Sequence, residues 1–355
     1  MDIASFNQIL EIAFEKKVSD VHFEVDSPPF FRARGKLVRS KLEKLTKKDT
    51  KFIASTIMEH NHKILPDDFK EFDTSYALDN GGRFRVSVFR QKGSTGIVMR
   101  VIPPHIGKFQ DLRLPAVLGE IVKAPNGLIL VTGPTGNGKS TTMASMLGCI
   151  NENFNYNVIT IEDPIEYIFK SDKSCIIQRE VGVDTESFSA ALKAALRMDP
   201  DVIMVGEMRD LETIDACIKA AETGHLVLST LHTQNASSTI NRIVSHFPPD
   251  SQTIVRQRLA DILVATVSLR LVKDKTGEQL VPVVEVMRTT TTIQACIRDG
   301  RLDEMEKHIE NGRDQYHMQT MDQHLLHLCK KNIISLNEAK RVSHSTDLER
   351  KLTFT

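Results

Sequence analysis

The sequence predicts an α/β protein: a doubly wound parallel-sheet domain, preceded by a small α+β domain and followed by a helical tail. Three observations support this prediction. Between residues 116 and 290, short apolar runs such as "GLILVTG" and "VIMVGE" alternate with helical patterns, which is typical of parallel strands covered on both faces. Before residue 102 apolar residues alternate with period two in several segments. After residue 290 the patterns are helical and rich in charge.

Composition restricts the class of protein. A chain of 355 residues is too long to fold around one ordinary hydrophobic core, so we expect two or three domains. Lysine plus arginine equals aspartate plus glutamate, at 46 each, so the chain lacks the basic excess of a dedicated nucleic-acid binder. No run approaches the about 20 apolar residues of a membrane helix, and the charged N-terminus does not resemble a signal peptide. The five cysteines form no C-x-x-C pair, so we expect a cytoplasmic protein.

The first 102 residues predict the small α+β domain. A helical pattern in "FNQILEIAFEKK" precedes alternating segments such as "DVHFEV". The pair "GRFRVSVFRQ" and "STGIVMRVIP" predicts an antiparallel hairpin with a Lys-Gly turn. Segment 103–115 has prolines at both ends and poor periodicity, so we predict a linker. The α/β domain is then expected over 116–290 and a helical C-terminal domain over 291–355.

A phosphate-binding loop follows the first predicted strand of the α/β domain. "GLILVTGPTGNGKSTTMASML" matches strand, G-x-x-x-x-G-K-[ST] and helix. The glycines let backbone N–H groups surround phosphate oxygens, Lys139 reaches the β- and γ-phosphates, and Ser140 offers its hydroxyl to Mg²⁺. We therefore predict a nucleoside triphosphate with Mg²⁺ rather than a dinucleotide. The predicted binding residues are Gly133, Pro134, Thr135, Gly136, Asn137, Gly138, Lys139, Ser140 and Thr141.

Three further apolar runs end in polar residues, at the edge where a doubly wound sheet binds its ligands. "VITIEDPIEY" leads to Glu162, "DVIMVGEMRD" to Glu207 and "LVLSTLHT" to His232. Phosphoryl transfer to water needs a metal ion near the phosphates and a carboxylate that orients the water, so Glu162 and Glu207 are candidates for both roles. His232 is a candidate γ-phosphate contact. Gly206 precedes Glu207 at the position where an aspartate is usual. Whether Glu162 or Glu207 contacts Mg²⁺ therefore stays open.

These four segments together resemble the Walker A, Asp, Walker B and His boxes of the secretion and pilus-motor ATPase superfamily. The resemblance covers nearly the whole chain. "VSDVHFEVDSPPFFRARGKL", "QREVGVDTESFSAALKAALRMDPDVIMVGEMRDLETI" and "HMQTMDQHLLHL" are similar to type IV pilus retraction ATPases of the PilT and PilU type. This resemblance implies a RecA-like ATPase domain, a PAS-like N-terminal domain and ATP as the nucleotide. His232 matches the His box best, and His225 is expected to be structural.

Three details bear on the branch of this superfamily. "TIQACIRDGR" lies where retraction ATPases carry Leu-Ile-Arg-Glu, and this chain has Cys296-Ile297-Arg298-Asp299 instead. Assembly-type relatives usually carry a four-cysteine zinc segment after the His box, whereas "VSLRLVKDKTGEQLVPVVEVM" contains no cysteine. They also carry an additional N-terminal domain, for which we expect no room. The absence of the zinc segment and of the additional domain favours the retraction branch, whereas the replaced leucine and glutamate weaken the match to retraction ATPases.

The resemblance also implies roles for arginines of the N-terminal hairpin, which in this family reach a nucleotide bound between the two domains. Arg85 and Arg100 match best by position, and Arg83 and Arg90 match less well; solvated edge-strand charge is the alternative. The family further implies a homohexamer, peripheral at the inner membrane, that docks a membrane platform protein. Paralogous pilus ATPases are further candidate partners, and no nucleic acid is expected.

The leading hypothesis is a hexameric motor ATPase whose ATP hydrolysis powers type IV pilus retraction, pilin disassembly and twitching motility. One alternative keeps the fold and changes the task to pilus assembly, type II or IV secretion, or DNA transfer. A different class is a RecA-like nucleic-acid-dependent ATPase, which zero net charge and the lack of aromatic–basic interleaving disfavour. A non-catalytic partner of a motor is disfavoured because the loop lysine and both strand-end glutamates are intact.

Overall fold

The computed structural model describes residues 1–33, 35–61, 63–66, 68–102 and 106–343. These residues form two compact units. The first unit contains the described residues of Met1–His105, Asp163–Ile168 and Glu180–Glu186. The second contains those of Ile106–Glu162, Phe169–Arg179 and Ser187–Thr355. The predicted linker and C-terminal domain fall partly outside the described residues, at 103–105 and 344–355 respectively, and the predicted domain bounds stay predictions.

The first unit combines two helices with an antiparallel sheet of six strands, ordered β3-β2-β1-β6-β5-β4. Its elements are α1 Ile3–Glu15, β1 Asp20–Phe23, β2 Phe30–Ala33, β3 Lys36–Arg39, α2 Lys47–His60, β4 Glu71–Ala77, β5 Arg83–Gln91 and β6 Ser94–Ile102. Gln91 pairs with Ser94 across the turn of the β5–β6 hairpin. Lys92 and Gly93 have φ of 48° and 70°, which is the backbone of a type I′ turn. The predicted hairpin and its Lys-Gly turn are therefore confirmed.

The core of the first unit lies between the helices and one face of this sheet. Alternate residues of β5, including Phe84 and Val86, are fully buried, and they pack with Phe6 of α1 and Ile53 of α2. The period-two pattern of the sequence follows from this burial, because successive strand residues point to opposite faces.

The second unit is built on a seven-stranded sheet, ordered β13-β12-β7-β11-β10-β8-β9. The strands are β7 Gly127–Thr132, β8 Asn157–Glu162, β9 Cys175–Glu180, β10 Val202–Val205, β11 Leu226–Leu231, β12 Leu263–Lys273 and β13 Leu280–Arg288. The pairs β12–β7, β7–β11, β11–β10 and β10–β8 are parallel, and β12–β13 is antiparallel. Every residue of β7, β10 and β11 is buried, so their sequences are nearly continuous apolar runs. The predicted α/β fold is confirmed.

Helices connect these strands and continue beyond the sheet. They are α3 Leu118–Ile121, α4 Lys139–Asn153, α5 Phe188–Ala195, α6 Leu211–Glu222, α7 Ala236–Ser245, α8 Gln252–Ile262, α9 Thr291–Asp299, α10 Met305–Asn311, α11 Arg313–Tyr316, α12 Met321–Lys330 and α13 Leu336–Val342, with a 3₁₀ turn at Pro249–Ser251. Leu325 of α12 packs with Val281 and Val283 of β13 in a separate small core. Among the described residues, no helix combines the length and apolarity that crossing a membrane would require.

Candidate nucleotide-binding site

The phosphate loop connects β7 to α4, and its backbone requires glycine. Gly133, Gly136 and Gly138 have φ of 142°, 78° and 85°. A Cβ at Gly133 would overlap the Leu269 carbonyl oxygen of β12, a contact that no side chain can make. The predicted loop residues are thus placed between a buried strand end and a helix N-terminus, where N–H groups favour an anion.

Lys139 lies at the centre of this loop. Its side chain is buried, and Nζ donates hydrogen bonds to the carbonyl oxygens of Gly133 at 2.8 Å and Pro134 at 3.1 Å. Asn137 fixes the loop from the other side, because its Oδ1 accepts a hydrogen bond at 2.8 Å from the Leu271 amide of β12. The ammonium group is therefore held over the loop, where phosphate oxygens would replace its carbonyl partners. Ser140 and Thr141 occupy the first turn of α4.

Glu162 ends β8 and is held inside the sheet edge. The residue is 6 % exposed, and its Oε1 accepts hydrogen bonds from Thr160 Oγ1 at 2.7 Å and Gln178 Nε2 at 3.2 Å. Gly206 follows β10, and its amide donates to the Ile161 carbonyl at 2.8 Å. This bond places the last residues of β8 beside the residues that follow β10, so Glu162 and Glu207 occupy neighbouring positions at one edge of the sheet.

His232 joins the phosphate loop to Glu207. Its Nδ1 lies 3.4 Å from Lys139 Nζ, and its Nε2 lies 3.4 Å from Glu207 Oε2. A lysine ammonium can only donate and a carboxylate accepts, so both contacts are satisfied by the neutral tautomer with its proton on Nε2. The structure thus brings together Lys139, Glu207 and His232, which the sequence placed on three different segments. By contrast, His225 Nδ1 lies 2.9 Å from the Ala220 carbonyl at the end of α6, which is a structural contact.

Two polar partners of these carboxylates were not among the predicted site residues. Arg209 Nη2 donates to Glu207 Oε1 at 2.6 Å, and the Arg209 side chain is 70 % exposed. Its position two residues after Glu207 was a signal that could have identified it. Gln178 lies on β9, and nothing in the sequence around it indicated that this strand would lie beside β8.

The predicted arginines lie in the first unit and differ in their surroundings. Arg83 forms hydrogen bonds with two buried residues: its Nη2 donates to Glu180 Oε2 at 2.6 Å and to Ser75 Oγ at 2.9 Å. Arg85 is 41 % exposed, with Glu166 3.9 Å away. Arg100 is 69 % exposed, and its Nε donates to Asp20 at 3.0 Å.

Arg90 is the fourth predicted arginine, and its guanidinium stacks over the Phe69 ring at 4.9 Å. This contact and the Arg83 hydrogen bonds engage their guanidinium groups within the first unit. Arg85 and Arg100 also have acidic partners in the first unit, Glu166 and Asp20, and Arg90 is exposed despite its ring contact. The roles of the four arginines stay predictions.

Comparison with known proteins identifies the family. The family model described as "Type II/IV secretion system protein" matches residues 2–351. The chain is 40% identical over 340 residues to the type IV pilus retraction ATPase PilT of Pseudomonas aeruginosa, covering 96% of this chain and 97% of that protein. The crystal structure of the pilus retraction motor PilT with bound ADP superposes with a TM-score of 0.88 at 44% identity, over 97% of this chain and 98% of that one.

A second solved structure, the ATPase DotB of Legionella pneumophila, has a TM-score of 0.83 at 26% identity and covers 96% of this chain and 95% of its own. These similarities extend over both compact units and agree with the resemblance that the four boxes indicated. The chain therefore belongs to the type II/IV secretion system protein family.

Proposed function

We propose that this protein is a motor ATPase that hydrolyses ATP with Mg²⁺ to power type IV pilus retraction. The observation that carries the proposal is the contact of His232 with both Lys139 and Glu207, which connects the phosphate loop to a strand-end carboxylate. Its supporting context is the end-to-end similarity to PilT at 40% identity.

The residues of the site divide between binding and chemistry. The loop from Gly133 to Thr141 binds the phosphates, and Lys139 neutralises their charge. Ser140 and Glu162 supply hard oxygen donors that suit Mg²⁺, which when bound stabilises charge on the phosphate oxygens. Glu207 orients the attacking water, because it is more exposed than Glu162 and is not held by strand side chains. His232 forms a hydrogen bond with the γ-phosphate, and its contact with Glu207 depends on whether that phosphate is present.

The first unit contributes through its accessible arginines. Arg85 and Arg100 stabilise negative charge on the nucleotide in the transition state, and such arginines contribute roughly 10³–10⁵ in rate in other phosphoryl-transfer enzymes. The position of the first unit then depends on nucleotide state, which a motor requires. The assembly is a homohexamer at the cytoplasmic face of the inner membrane, where it docks a platform protein of the pilus machine, with paralogous pilus ATPases as further partners.

The test is deletion of the gene in its host, followed by counts of surface pili and a twitching assay. We expect excess pili and lost motility, with rescue by the wild type but not by Lys139→Ala, which removes the phosphate contact. Lys123→Ala, at an exposed lysine of the same unit, serves as the matched control and should rescue.

The second candidate is a secretion or pilus-assembly motor of the same family, which the family description "Type II/IV secretion system protein" favours. A deletion strain with few or no pili would contradict retraction and support assembly. Normal pili and normal motility, with a purified protein that still hydrolyses ATP, would support secretion.

A further inference from the structure

A cysteine, a glutamate and a histidine converge at the corner between α9 and α10. Cys296 lies on α9, Glu304 directly precedes α10, and His308 lies one turn into it. The Cys296 Sγ, a Glu304 carboxylate oxygen and a His308 ring nitrogen all lie within 4.8 Å of one another. Tetrahedral Zn²⁺ with bonds of about 2.0–2.3 Å separates its ligand atoms by roughly 3.3–3.8 Å, so rotation of the exposed side chains would close this set around an ion.

The backbone of this corner is fixed on several sides. Gly300 ends α9 in the left-handed conformation, with φ of 73°. The Arg301 amide donates to the Cys296 carbonyl at 2.9 Å, and Ser237 Oγ of α7 donates to the Leu302 carbonyl at 2.8 Å. The positions of the three donor residues are therefore set by hydrogen bonds that do not involve the donor side chains.

The surroundings suit a cation that enters from solvent. Cys296 is fully buried, whereas the side chains of His308 and Glu304 are 32% and 46% exposed. Arg301 Nη1 donates to Glu304 Oε2 at 2.6 Å and orients that carboxylate, as outer groups commonly do around metal ligands.

We propose that Cys296, Glu304 and His308 form a binding site for one zinc-class divalent cation, which ties α9 to α10. Sulfur and nitrogen donors select a borderline cation and disfavour Mg²⁺ and Ca²⁺, which take oxygen ligands. Three protein ligands leave the fourth position to water. The site is a property of this chain, because Cys296 stands where the resembled retraction ATPases carry leucine, and it does not depend on the proposed function.

The test uses the full chain, stripped with a chelator and titrated with Co²⁺ in the absence of nucleotide. We expect a thiolate-to-cobalt charge-transfer band that saturates at one ion per chain and is lost on addition of Zn²⁺. Cys296→Leu, which installs the residue of the resembled family, should fold, keep its basal ATP turnover and lose the band. His308→Gln keeps the thiol and should weaken Co²⁺ binding at least about 10-fold.

Cys175→Ser and Cys329→Ser are the matched controls, since each removes a thiol away from the corner, and both should keep the band. Zn²⁺ should raise the melting temperature of the wild type and not that of Cys296→Leu. Absence of the band in the wild type, or an unchanged band in Cys296→Leu or His308→Gln, would overturn the proposal.

Discussion

At the scale of single residues, the two strand-end glutamates differ in how firmly they are held. Glu162 accepts hydrogen bonds from Thr160 and Gln178 inside the sheet edge. Glu207 contacts Arg209 and His232, whose side chains are 70 % and 49 % exposed. A carboxylate whose partners are exposed to solvent can exchange them for a water molecule, whereas a carboxylate bonded inside the sheet keeps a fixed position. This difference leads to opposite expectations for the two glutamine substitutions.

Glu207→Gln should lower kcat by roughly 10²–10⁴ and change ATP affinity little, because it removes the group that orients the water. Glu162→Gln should mainly raise the Mg²⁺ concentration needed for half-maximal turnover. Phosphate release and nucleotide binding by the purified variants measure both effects. Glu212→Gln, at an exposed residue paired with Lys193, is the control. Near-wild-type kcat in Glu207→Gln would reject its assignment as the water-orienting residue.

Glu285 of β13 is a buried carboxyl group beside the same edge of the sheet. Its Oε1 accepts a hydrogen bond at 2.8 Å from the Ala236 amide at the start of α7, and Ser268 Oγ lies 3.4 Å away. Burial is the main cause that raises the pKa of Glu285 from 4.5 to about 7, and the charge of Glu306 raises it further. Folded Glu285 therefore binds its proton more tightly than unfolded Glu285, so its contribution to stability is lost as the pH rises through 7.

As the pH rises from 5 to 8, the wild type should therefore lose stability relative to Glu285→Gln, whose side chain does not ionise. The difference between the pKa of 4.5 in the unfolded chain and about 7 in the folded chain corresponds to a loss of about 3 kcal/mol in the free energy of unfolding of the wild type. Urea unfolding of both proteins at the two pH values measures this difference, and Glu278→Gln at an exposed position is the control. The other titrating groups are the same in both proteins, so their effects on the free energy of unfolding cancel in the comparison. An equal stability difference at both pH values would show that Glu285 ionises normally.

At the scale of elements, β12 constrains the phosphate loop. A Cβ at Gly133 would meet the backbone of Leu269, whereas a Cβ at Gly136 would have no atom within 4 Å, although its φ is also positive. The neighbouring strand, as much as the phosphate, therefore dictates glycine at the first loop position. The same strand carries the Leu271 amide that holds Asn137.

Gly133→Ala should be less stable than Gly136→Ala by about 2 kcal/mol or more, because β12 must move to admit the methyl group while both variants carry the cost of a positive φ. Thermal unfolding without nucleotide compares them, with about 2–4 °C expected per kcal/mol in a domain of this size. Equal melting temperatures would mean that the loop, rather than the strand, adjusts freely at Gly133.

At the scale of the whole molecule, the chain divides into a unit with the phosphate loop and a unit with the candidate arginines. The similarity to PilT covers both, at 96% of this chain. Arg83 and Arg90 are engaged within the first unit, by Glu180 and by the Phe69 ring. Arg85 and Arg100 have partners there as well, Glu166 and Asp20, and they are the two arginines for which the resemblance implies a role in hydrolysis.

Arg85→Ala and Arg100→Ala should bind ATP with nearly unchanged affinity and hydrolyse it about 10³-fold more slowly, as expected for loss of a charge contact made in the transition state. Nucleotide binding and single-turnover hydrolysis separate the two effects. Arg90→Ala is the control, with a similar change on the same hairpin. Wild-type turnover in both Arg85→Ala and Arg100→Ala would contradict a role in hydrolysis.

The sequence by itself determined the phosphate loop and the four strands that carry the predicted site residues, β7, β8, β10 and β11, but not β9, β12 and β13. The loop from Gly133 to Ser140 is contiguous, so its chemistry can be read without the fold. The strands could be recognised because burial on one or both faces leaves a periodic or continuous apolar pattern. Glu162, Glu207 and His232 could be placed at one sheet edge because parallel strands share the direction of their carboxyl ends.

The tertiary structure decided which of these groups meet. Lys139 and His232 are 93 positions apart, and their contact depends on the strand order β7-β11-β10. Gln178 reaches Glu162 because β9 lies beside β8, and the Cys296 cluster exists because the turn after α9 folds α10 back toward it. A local pattern records how each residue is buried, whereas a contact depends on how distant segments pack, which the sequence around either partner does not encode.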